Sequence, residues 1–339
     1  FNLGVGFDAN PHNYGRVWFP CFDNFVERAT YDLFFTTSNG RVATSNGALI
    51  AEQDLGNGLL QRHWRMDEAI PTYLTCVAVS NYATVAQTFN GINGPVPIRL
   101  YAPAGDTNAV KNSFQNLPDA LEAFETAFGP HRWNKVGYSM VPFGSGAMEH
   151  ASNIAYPLSA ANGSLAQETL MAHELAHSWW GNLVTCETAG DMWINEGMAS
   201  FLELVFLEHV YGRDRYISTV NSDHLSLLRY AHHQEGGFRS LTNMPHEYTY
   251  GDHTYVKGSI VAHTLRGYMG DAQFYPALRT FLDNNQYQSV NATQLRDELS
   301  ATSGMDLTDF FDGWVLNGGW PHFAIDSFRV NPTPGLTEV

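Results

Sequence analysis

The sequence predicts an α+β protein in which a strand-rich region precedes a mainly helical one. Short runs of strand-forming residues over residues 1–92 are separated by turn signals such as Ser38-Asn39-Gly40. Several longer stretches with helical spacing follow in residues 93–322. At 339 residues the chain is long enough for two domains.

Individual elements follow from local patterns. Strands are predicted at 31–36, 41–44, 73–79, 97–101 and 135–142, and residues 90–95 have the composition of a linker. Helices are predicted at 107–128 (divided at Pro118), 217–230, 255–268, 274–282 and 292–302, with a loop at 232–237. The tail, 323–339, returns to strand character.

Composition narrows the class of partner. The chain carries 34 acidic and 18 basic residues, and its formal net charge is −16. This balance disfavours nucleic acid and anionic membrane surfaces. No apolar run approaches the roughly 20 residues needed to span a membrane. We therefore expect no nucleic-acid partner and no membrane span.

The three cysteines are widely spaced and show no zinc-finger pattern. They are Cys21, Cys76 and Cys186. Three reduced, buried cysteines is the simpler interpretation, and one disulfide with one free thiol is the alternative.

His173-Glu174-Leu175-Ala176-His177 is the stretch with the clearest chemistry. It lies in a predicted helix at 165–180 that begins with the capping-box sequence Ser164-Leu165-Ala166-Gln167. Histidines four residues apart share one helix face and can reach one ion. Glu174 can face a water on that ion without binding the ion itself. This pattern is typical of zinc hydrolases, in which the histidines hold the metal and the glutamate is the general base.

Catalytic zinc needs a third protein ligand, and Glu196 is the candidate. It lies in the first turns of a second predicted helix, 193–211, which ends at Gly212. The alternative is two buried histidines on an ordinary amphipathic helix. Glu196 at this distance makes that alternative the weaker one.

Four motifs in this order resemble the M1 zinc aminopeptidases of the gluzincin group. The matching segments are Gly146-Ala147-Met148-Glu149-His150, His173–His177 with Trp179-Trp180-Gly181-Asn182, Asn195-Glu196-Gly197 and Tyr255-Val256-Lys257-Gly258. The resemblance implies a mainly helical, thermolysin-like zinc catalytic domain with a small β-sheet at 93–322. Part of an all-β N-terminal domain would precede it at 1–92, and a further β domain or tail would begin at 323–339.

The same resemblance implies the roles of individual residues. One Zn²⁺ per chain would be held by His173, His177 and Glu196, with Glu174 as general base. Tyr255 would stabilise the tetrahedral oxyanion. A water on zinc has a pKa lowered from about 15.7 towards 7, so a nucleophile is available near neutral pH.

The segment Gly146-Ala147-Met148-Glu149-His150 is expected to bind substrate. Its glycines suit an edge strand that pairs with the substrate backbone, and Glu149 would receive the free ammonium. His150 replaces the family's usual asparagine; if protonated, it would repel that ammonium and lower activity below neutral pH. Pro11 falls near the position where many members carry an acidic or amide residue.

The predicted function is hydrolysis of the N-terminal peptide bond of peptides with a free N-terminus. A thermolysin-type zinc endopeptidase shares the metal helix and the distant glutamate, but needs no carboxylate such as Glu149 for an ammonium. An inactive peptide-binding module on the same fold is the second alternative, although no ligand and no general base is missing. A serine hydrolase is unsupported because no Gly-x-Ser-x-Gly elbow occurs.

Overall fold

The computed structural model describes residues 11–12, 15–144 and 146–321, and the backbone of 329–330 and 337–338. Its first part is built from β1 (Arg28–Ser38), β2 (Val42–Ser45), β3 (Ala48–Gly56), β4 (Leu59–Pro71) and β5 (Val77–Ser80). Strands β1, β4 and β3 form one antiparallel sheet in that order, and β2 pairs with β5. The strand predicted at 73–79 is shorter than expected, because residues 72–74 form a helical turn before β5.

A four-stranded sheet joins this region to the helices. It contains, in spatial order, β6 (Tyr82–Gly91), β7 (Gly94–Pro103), β8 (Val136–Val141) and β9 (Ile154–Pro157). The linker predicted at 90–95 is instead the tight turn of the β6–β7 hairpin, in which Gly91 pairs with Gly94. The division of the chain at 92 stays a prediction and would fall within this turn.

The helical region begins after β7. Its helices are α1 (Thr107–Ser113), α2 (Leu117–Phe128), α3 (Glu168–Ala176), α4 (Glu196–Tyr211), α5 (Arg213–Ser226), α6 (His232–Gln234), α7 (Gly258–Met269), α8 (Asp271–Asn284), α9 (Ala292–Ser303) and α10 (Thr308–Phe311). Two further strand pairs are β10 (Val184–Cys186) with β11 (Gln288–Val290), parallel, and β12 (Arg329–Val330) with β13 (Thr337–Glu338), antiparallel. Apart from these last two strands, the predicted tail lies outside the described residues.

Helix α4 is the centre of the helical region. Its apolar side chains at helical spacing are buried: Met198, Phe201, Leu202, Val205 and Phe206. It packs against α2, α3, α5 and α7, so its first residue, Glu196, is held beside α3. Pro118 lies in the first turn of α2 and separates that helix from α1, as predicted.

Three smaller expectations concerned the loop at 232–237, the cysteines and a membrane span. The loop predicted at 232–237 contains the short helix α6. All three cysteines are free; Cys76 and Cys186 are buried, whereas Cys21 is partly exposed. Among the described helices, none combines the length and apolar character that a membrane crossing requires.

Candidate metal centre and substrate cavity

Helix α3 presents the two histidines, although it is shorter than predicted. It begins at Glu168 because the expected capping box does not form: the Ser164 hydroxyl accepts a hydrogen bond from Ala166 N–H at 3.4 Å and donates to Asn162. His177 follows the last helical residue but keeps helical backbone angles, and its N–H donates to the carbonyl of His173 at 3.3 Å. The i, i+4 relation of the two imidazoles therefore survives.

The hydrogen bonds of the two rings fix their tautomers. Nδ1 of His173 donates to Oε1 of Glu203 at 2.8 Å, and Nδ1 of His177 donates to the carbonyl of Trp180 at 2.8 Å. Gly181 permits the second contact, because a Cβ there would lie 2.7 Å from Nδ1 of His177, and its φ is +122°. In its neutral form each imidazole therefore has its lone pair on Nε2, as metal-binding histidines do.

These lone pairs converge with a carboxylate oxygen. The two Nε2 atoms lie 3.1 Å apart. Oε2 of Glu196 lies 3.2 Å from Nε2 of His173 and 3.3 Å from Nε2 of His177. Zinc–nitrogen bonds of about 2.0–2.1 Å at tetrahedral angles would separate ligand atoms by about 3.3 Å. All three side chains are buried. The set therefore fits a tetrahedral divalent cation with one open position.

Electrostatics show how strongly this site favours positive charge. Burial alone would lower the pKa of His177, but the carboxylates of Glu196 and Glu149 raise it to about 9. The pKa of His173 is likewise raised, against burial, by its hydrogen bonds to Glu196 and Glu203. Burial opposes ionisation of Glu196, yet the two histidines hold its pKa well below the usual value. A cation here competes with protons, so its affinity falls as pH falls.

Glu174 lines the same cavity as the three candidate ligands. Its side chain is buried, and Oε2 has no hydrogen-bond partner among the described residues. Burial raises its pKa to about 8, the two histidines act in the opposite direction, and Glu149 and Glu196 add to the rise. A cation held by the neighbouring ligands would favour its ionised form. The free oxygen is thus available to a water or a substrate proton.

Tyr255 also lines the cavity, from a π-helical turn, His253–Lys257, that precedes α7. Its ring stacks against that of His173, with centroids 5.9 Å apart and an interplanar angle of 26°. Burial, and after it Glu196, raise its pKa well above the usual value. The phenol therefore stays protonated and can donate a hydrogen bond into the cavity. Single-turn π-helical segments frequently occur at functional sites.

The segment Gly146–His150 alternates like a strand. Met148 pairs with Ala155 of β9 through two backbone hydrogen bonds of 2.9 Å, and its side chain is buried in the core. Ala147 and Glu149 line the metal-centre cavity, whereas His150 lines a different cavity behind the segment. Burial lowers the pKa of His150 to about 3. It is therefore neutral near pH 7, and the expected repulsion of a substrate ammonium does not apply.

Glu149 is a second buried carboxylate in the same cavity. One ligand atom each from Glu149, Glu174 and His177 lie within 4.8 Å of one another. Burial raises the pKa of Glu149; His177 lowers it, and Glu196 raises it further. Asn182 fixes the backbone by donating to the carbonyl of Glu149 at 2.8 Å. Two carboxylates this close favour a cation between them.

The cavity measures about 370 Å³ and brings most predicted site residues together. Eight of the ten line it: Gly146, Ala147, Glu149, His173, Glu174, His177, Glu196 and Tyr255. Met148 and His150 do not, because Met148 is buried in the core and His150 lines the other cavity.

Sequence reasoning missed four residues that line the cavity, of which Glu203 and His12 are ionisable. The sequence spacing could have identified Glu203, because it lies seven residues after Glu196 and therefore on the same face of α4. No sequence pattern could have identified His12. Its ring stacks on that of Tyr250 with centroids 3.8 Å apart, and its backbone N–H donates to the Tyr250 hydroxyl at 2.8 Å, although the two residues are 238 positions apart. It lies next to Pro11, and burial lowers its pKa while Glu196 raises it.

Comparison with known proteins shows which protein family the chain resembles. Residues 112–314 match the peptidase family M1 domain, and residues 8–74 match the peptidase M1 N-terminal domain. Rat glutamyl aminopeptidase is 24% identical over 325 residues, which are 90% of this chain and 34% of that protein. Human endoplasmic reticulum aminopeptidase 1 is 26% identical over 316 residues, 88% of this chain and 33% of that protein. The chain thus spans about a third of the length of these curated relatives.

The fold is that of solved M1 structures. A Deinococcus radiodurans M1 zinc metallopeptidase mutant bound to a Tyr-Ser-Ala substrate has a TM-score of 0.80 with 23% identity, and the match covers 91% of this chain and 69% of that one. The predicted α+β class, with a strand-rich part before the helices, is confirmed. The family match over residues 112–314 likewise confirms the resemblance drawn from the motifs: the chain belongs to peptidase family M1.

Proposed function

We propose that this chain carries the catalytic centre of a zinc-dependent aminopeptidase, which hydrolyses the N-terminal peptide bond of peptides. The observation that carries the proposal is the buried Glu149 carboxylate, which faces Glu174 within 4.8 Å in the cavity of the metal ligands. A peptidase that cuts inside a chain has no use for a buried anion there. The relatives named glutamyl aminopeptidase and endoplasmic reticulum aminopeptidase 1 support the same class.

His173, His177 and Glu196 would hold one zinc ion. Their Nε2, Nε2 and Oε2 atoms need no rearrangement to become ligands, because both Nδ1 protons are already used elsewhere. Zinc bound there would lower the pKa of a coordinated water and polarise the scissile carbonyl. Glu203 would keep the ring of His173 in its metal-binding orientation.

Glu174 acts as the general base. Its unpartnered Oε2 accepts a proton from the attacking water and later delivers it to the leaving amine. General acid–base catalysis of this kind contributes about 10²–10⁴ in rate. Because burial favours the protonated form of Glu174, the side chain can hold the proton taken from water until it is delivered to the leaving amine.

Tyr255 donates a hydrogen bond to the oxyanion that forms at the carbonyl. Its phenol is protonated, half-buried and on the cavity wall beside His173. Removing one oxyanion donor typically costs about 10²–10³ in turnover.

Glu149 receives the substrate ammonium. An ammonium taken out of water needs a charged partner, and this carboxylate supplies a charge-assisted hydrogen bond. Ala147 and Gly146 line the approach to it, so their backbone lies beside the first residues of a bound peptide. The Deinococcus radiodurans structure has the substrate Tyr-Ser-Ala bound to that protein, and a short peptide of this kind is the class of ligand proposed here.

The decisive experiment compares aminoacyl anilides with their N-acetylated forms. The zinc-loaded wild type should cleave the free amines far faster. Glu149→Ala should lose about 2–5 kcal/mol of transition-state stabilisation for the free amines only, whereas Glu27→Ala, a change at an exposed carboxylate, should match the wild type.

The alternatives make different predictions in the same experiment. Equal cleavage of both substrate forms by the wild type would favour a zinc endopeptidase. Stoichiometric zinc without turnover of any substrate in the panel would favour an inactive peptide-binding module.

A further inference from the structure

A second polar cavity lies in the strand-rich part of the chain. It measures about 370 Å³ and shares no lining residue with the metal-centre cavity. Its polar and aromatic lining comprises Arg62, Trp64, Thr84, Arg99, Tyr101, Asn134 and Lys135. Three of the chain's 18 lysine and arginine residues therefore meet in one cavity, in a protein of net charge −16.

Three separate segments bring these cations together. Arg62 comes from β4, Arg99 from β7, and Lys135 directly precedes β8. Burial raises the pKa of Tyr101 to about 12, and the charges of Arg99 and Arg62 both oppose that rise. Both guanidinium groups therefore act on the same phenol, at a junction between two sheets.

The positive charge of this cluster is incompletely balanced. Arg62 pairs with Glu52 at 2.6 Å. Within the described part of the chain, neither Arg99 nor Lys135 forms an ion pair with a carboxylate. Arg99 donates instead to the carbonyls of Gln87 and Ile98, at 3.2 and 2.8 Å. Two positive charges therefore have only neutral acceptors.

Lys135 is the most deeply buried of the three. Its side chain donates to the carbonyls of Ser45, at 2.9 Å, and Gly47, and its ammonium lies 4.8 Å from the ring centroid of Trp64. Burial lowers the pKa of Lys135 to about 7; Cys76 acts in the opposite direction, and Arg99, with the smallest effect, lowers the pKa. An anion in the cavity would stabilise the buried ammonium of Lys135.

We propose that this cavity binds the oxyanion group, phosphate or carboxylate, of a small anionic molecule. Arginine presents a planar fork of donors that matches both groups, and lysine adds a point charge. The volume falls within the range of about 300–1,000 Å³ that small-molecule sites occupy. Ala48, Leu49 and Pro97, with the rings of Trp64 and Tyr101, supply the apolar part of the wall. The site is separate from the peptidase centre, so the proposal does not depend on the proposed function.

The first test is a calorimetric titration of the zinc-loaded protein with sodium sulfate at constant ionic strength. Sulfate keeps its charge across the neutral range, and constant ionic strength removes general screening. We expect saturable binding of one sulfate per chain. Arg62→Gln and Arg99→Gln should each weaken it about tenfold or more, because each removes a charged donor. Thermal unfolding of each variant establishes that it is folded.

Arg215→Gln is the matched control, since it removes the same charge from an exposed position on α5. Its sulfate affinity should equal that of the wild type. Repeating the titration with phosphate and with succinate distinguishes a phosphate ligand from a dicarboxylate. Absence of saturable binding, or binding that neither cavity variant weakens, would overturn the proposal. So would an equal loss in Arg215→Gln.

Discussion

Gly197 and Gly258 touch backbone to backbone. A Cβ added to either residue would lie 2.8 Å from the Cα of the other, and one on Gly197 would also lie 2.8 Å from the carbonyl oxygen of Thr254. Gly197 follows the proposed ligand Glu196, and Gly258 comes three residues after Tyr255. This contact therefore sets how closely the first turn of α4 approaches the turn that carries the tyrosine.

Gly197→Ala should separate these two turns. Overpacking of a filled interior typically costs about 1–3 kcal/mol of stability, and the displacement of Glu196 should weaken metal binding and turnover together. Denaturant unfolding and zinc titration measure the two effects. Gly267→Ala is the matched control, because Gly267 is exposed on α7 with no atom near its absent Cβ. That change should stabilise the helix slightly, so equal stabilities of the two variants would contradict the packing argument.

Glu203→Ala should lower zinc affinity without removing a ligand. The change frees Nδ1 of His173, and loss of such a supporting partner typically costs about 10–100-fold in metal affinity. His173→Ala should instead abolish stoichiometric zinc. Competition with a chelator and elemental analysis give both readouts. Glu208→Ala, on the same helix but paired with Arg266 and Arg213, should leave zinc affinity unchanged. Equal zinc affinity in all three variants would disprove the assignment of His173.

The convergence of His173, His177 and Glu196 could be predicted because it depends on local geometry. Two histidines at i and i+4 need only one helical turn, and Glu196 needs only the start of the next helix. The exact start of α3 could not be predicted. Gln167 occupies the N-cap position without a side-chain hydrogen bond, and the Ser164 hydroxyl donates to Asn162 within its own loop. The π-helical turn around Tyr255 and the position of His12 depend on contacts between distant segments, which no local pattern encodes.

One feature of the substrate wall was predictable but was not predicted. Glu149 and His150 are neighbours in an extended segment, so their side chains must point to opposite faces. Grouping all five residues of Gly146–His150 into one wall ignored that alternation. The domain division at 92 and the roles of the site residues stay predictions, to be tested as described.

Glu174→Gln should keep zinc and lose nearly all turnover. The amide has the same shape but cannot accept and return the proton, so we expect a loss of at least about 10²–10⁴ in kcat. Zinc content and single-turnover kinetics on an aminoacyl anilide are the measurements. If the variant lost zinc as readily as His177→Ala, Glu174 would be a ligand rather than the base.

Tyr255→Phe should lower kcat by about 10²–10³ and leave KM nearly unchanged, because its hydrogen bond strengthens only in the transition state. The ring and its stacking on His173 remain. Steady-state kinetics across several substrates separate the two constants. Tyr250→Phe is the control. The Tyr250 hydroxyl accepts a hydrogen bond from the backbone N–H of His12, and its removal should have a much smaller effect on kcat. A variant that raised KM alone would place Tyr255 in ground-state binding.

His150 should make the protein sensitive to acid. Its pKa is lowered to about 3 by burial, against 6.5 for an ordinary histidine, and its Nδ1 has no partner among the described residues. Between these values the unfolded chain binds a proton that the folded protein does not, so stability falls as pH falls below about 6.5. His150→Asn and His150→Gln remove this group. The free energy of unfolding of the wild type, relative to each variant, should therefore decrease by about 1.4 kcal/mol per pH unit across this window. Denaturant unfolding at several pH values measures the difference, and parallel curves for wild type and both variants would show that His150 is protonated in the folded protein or exposed to water.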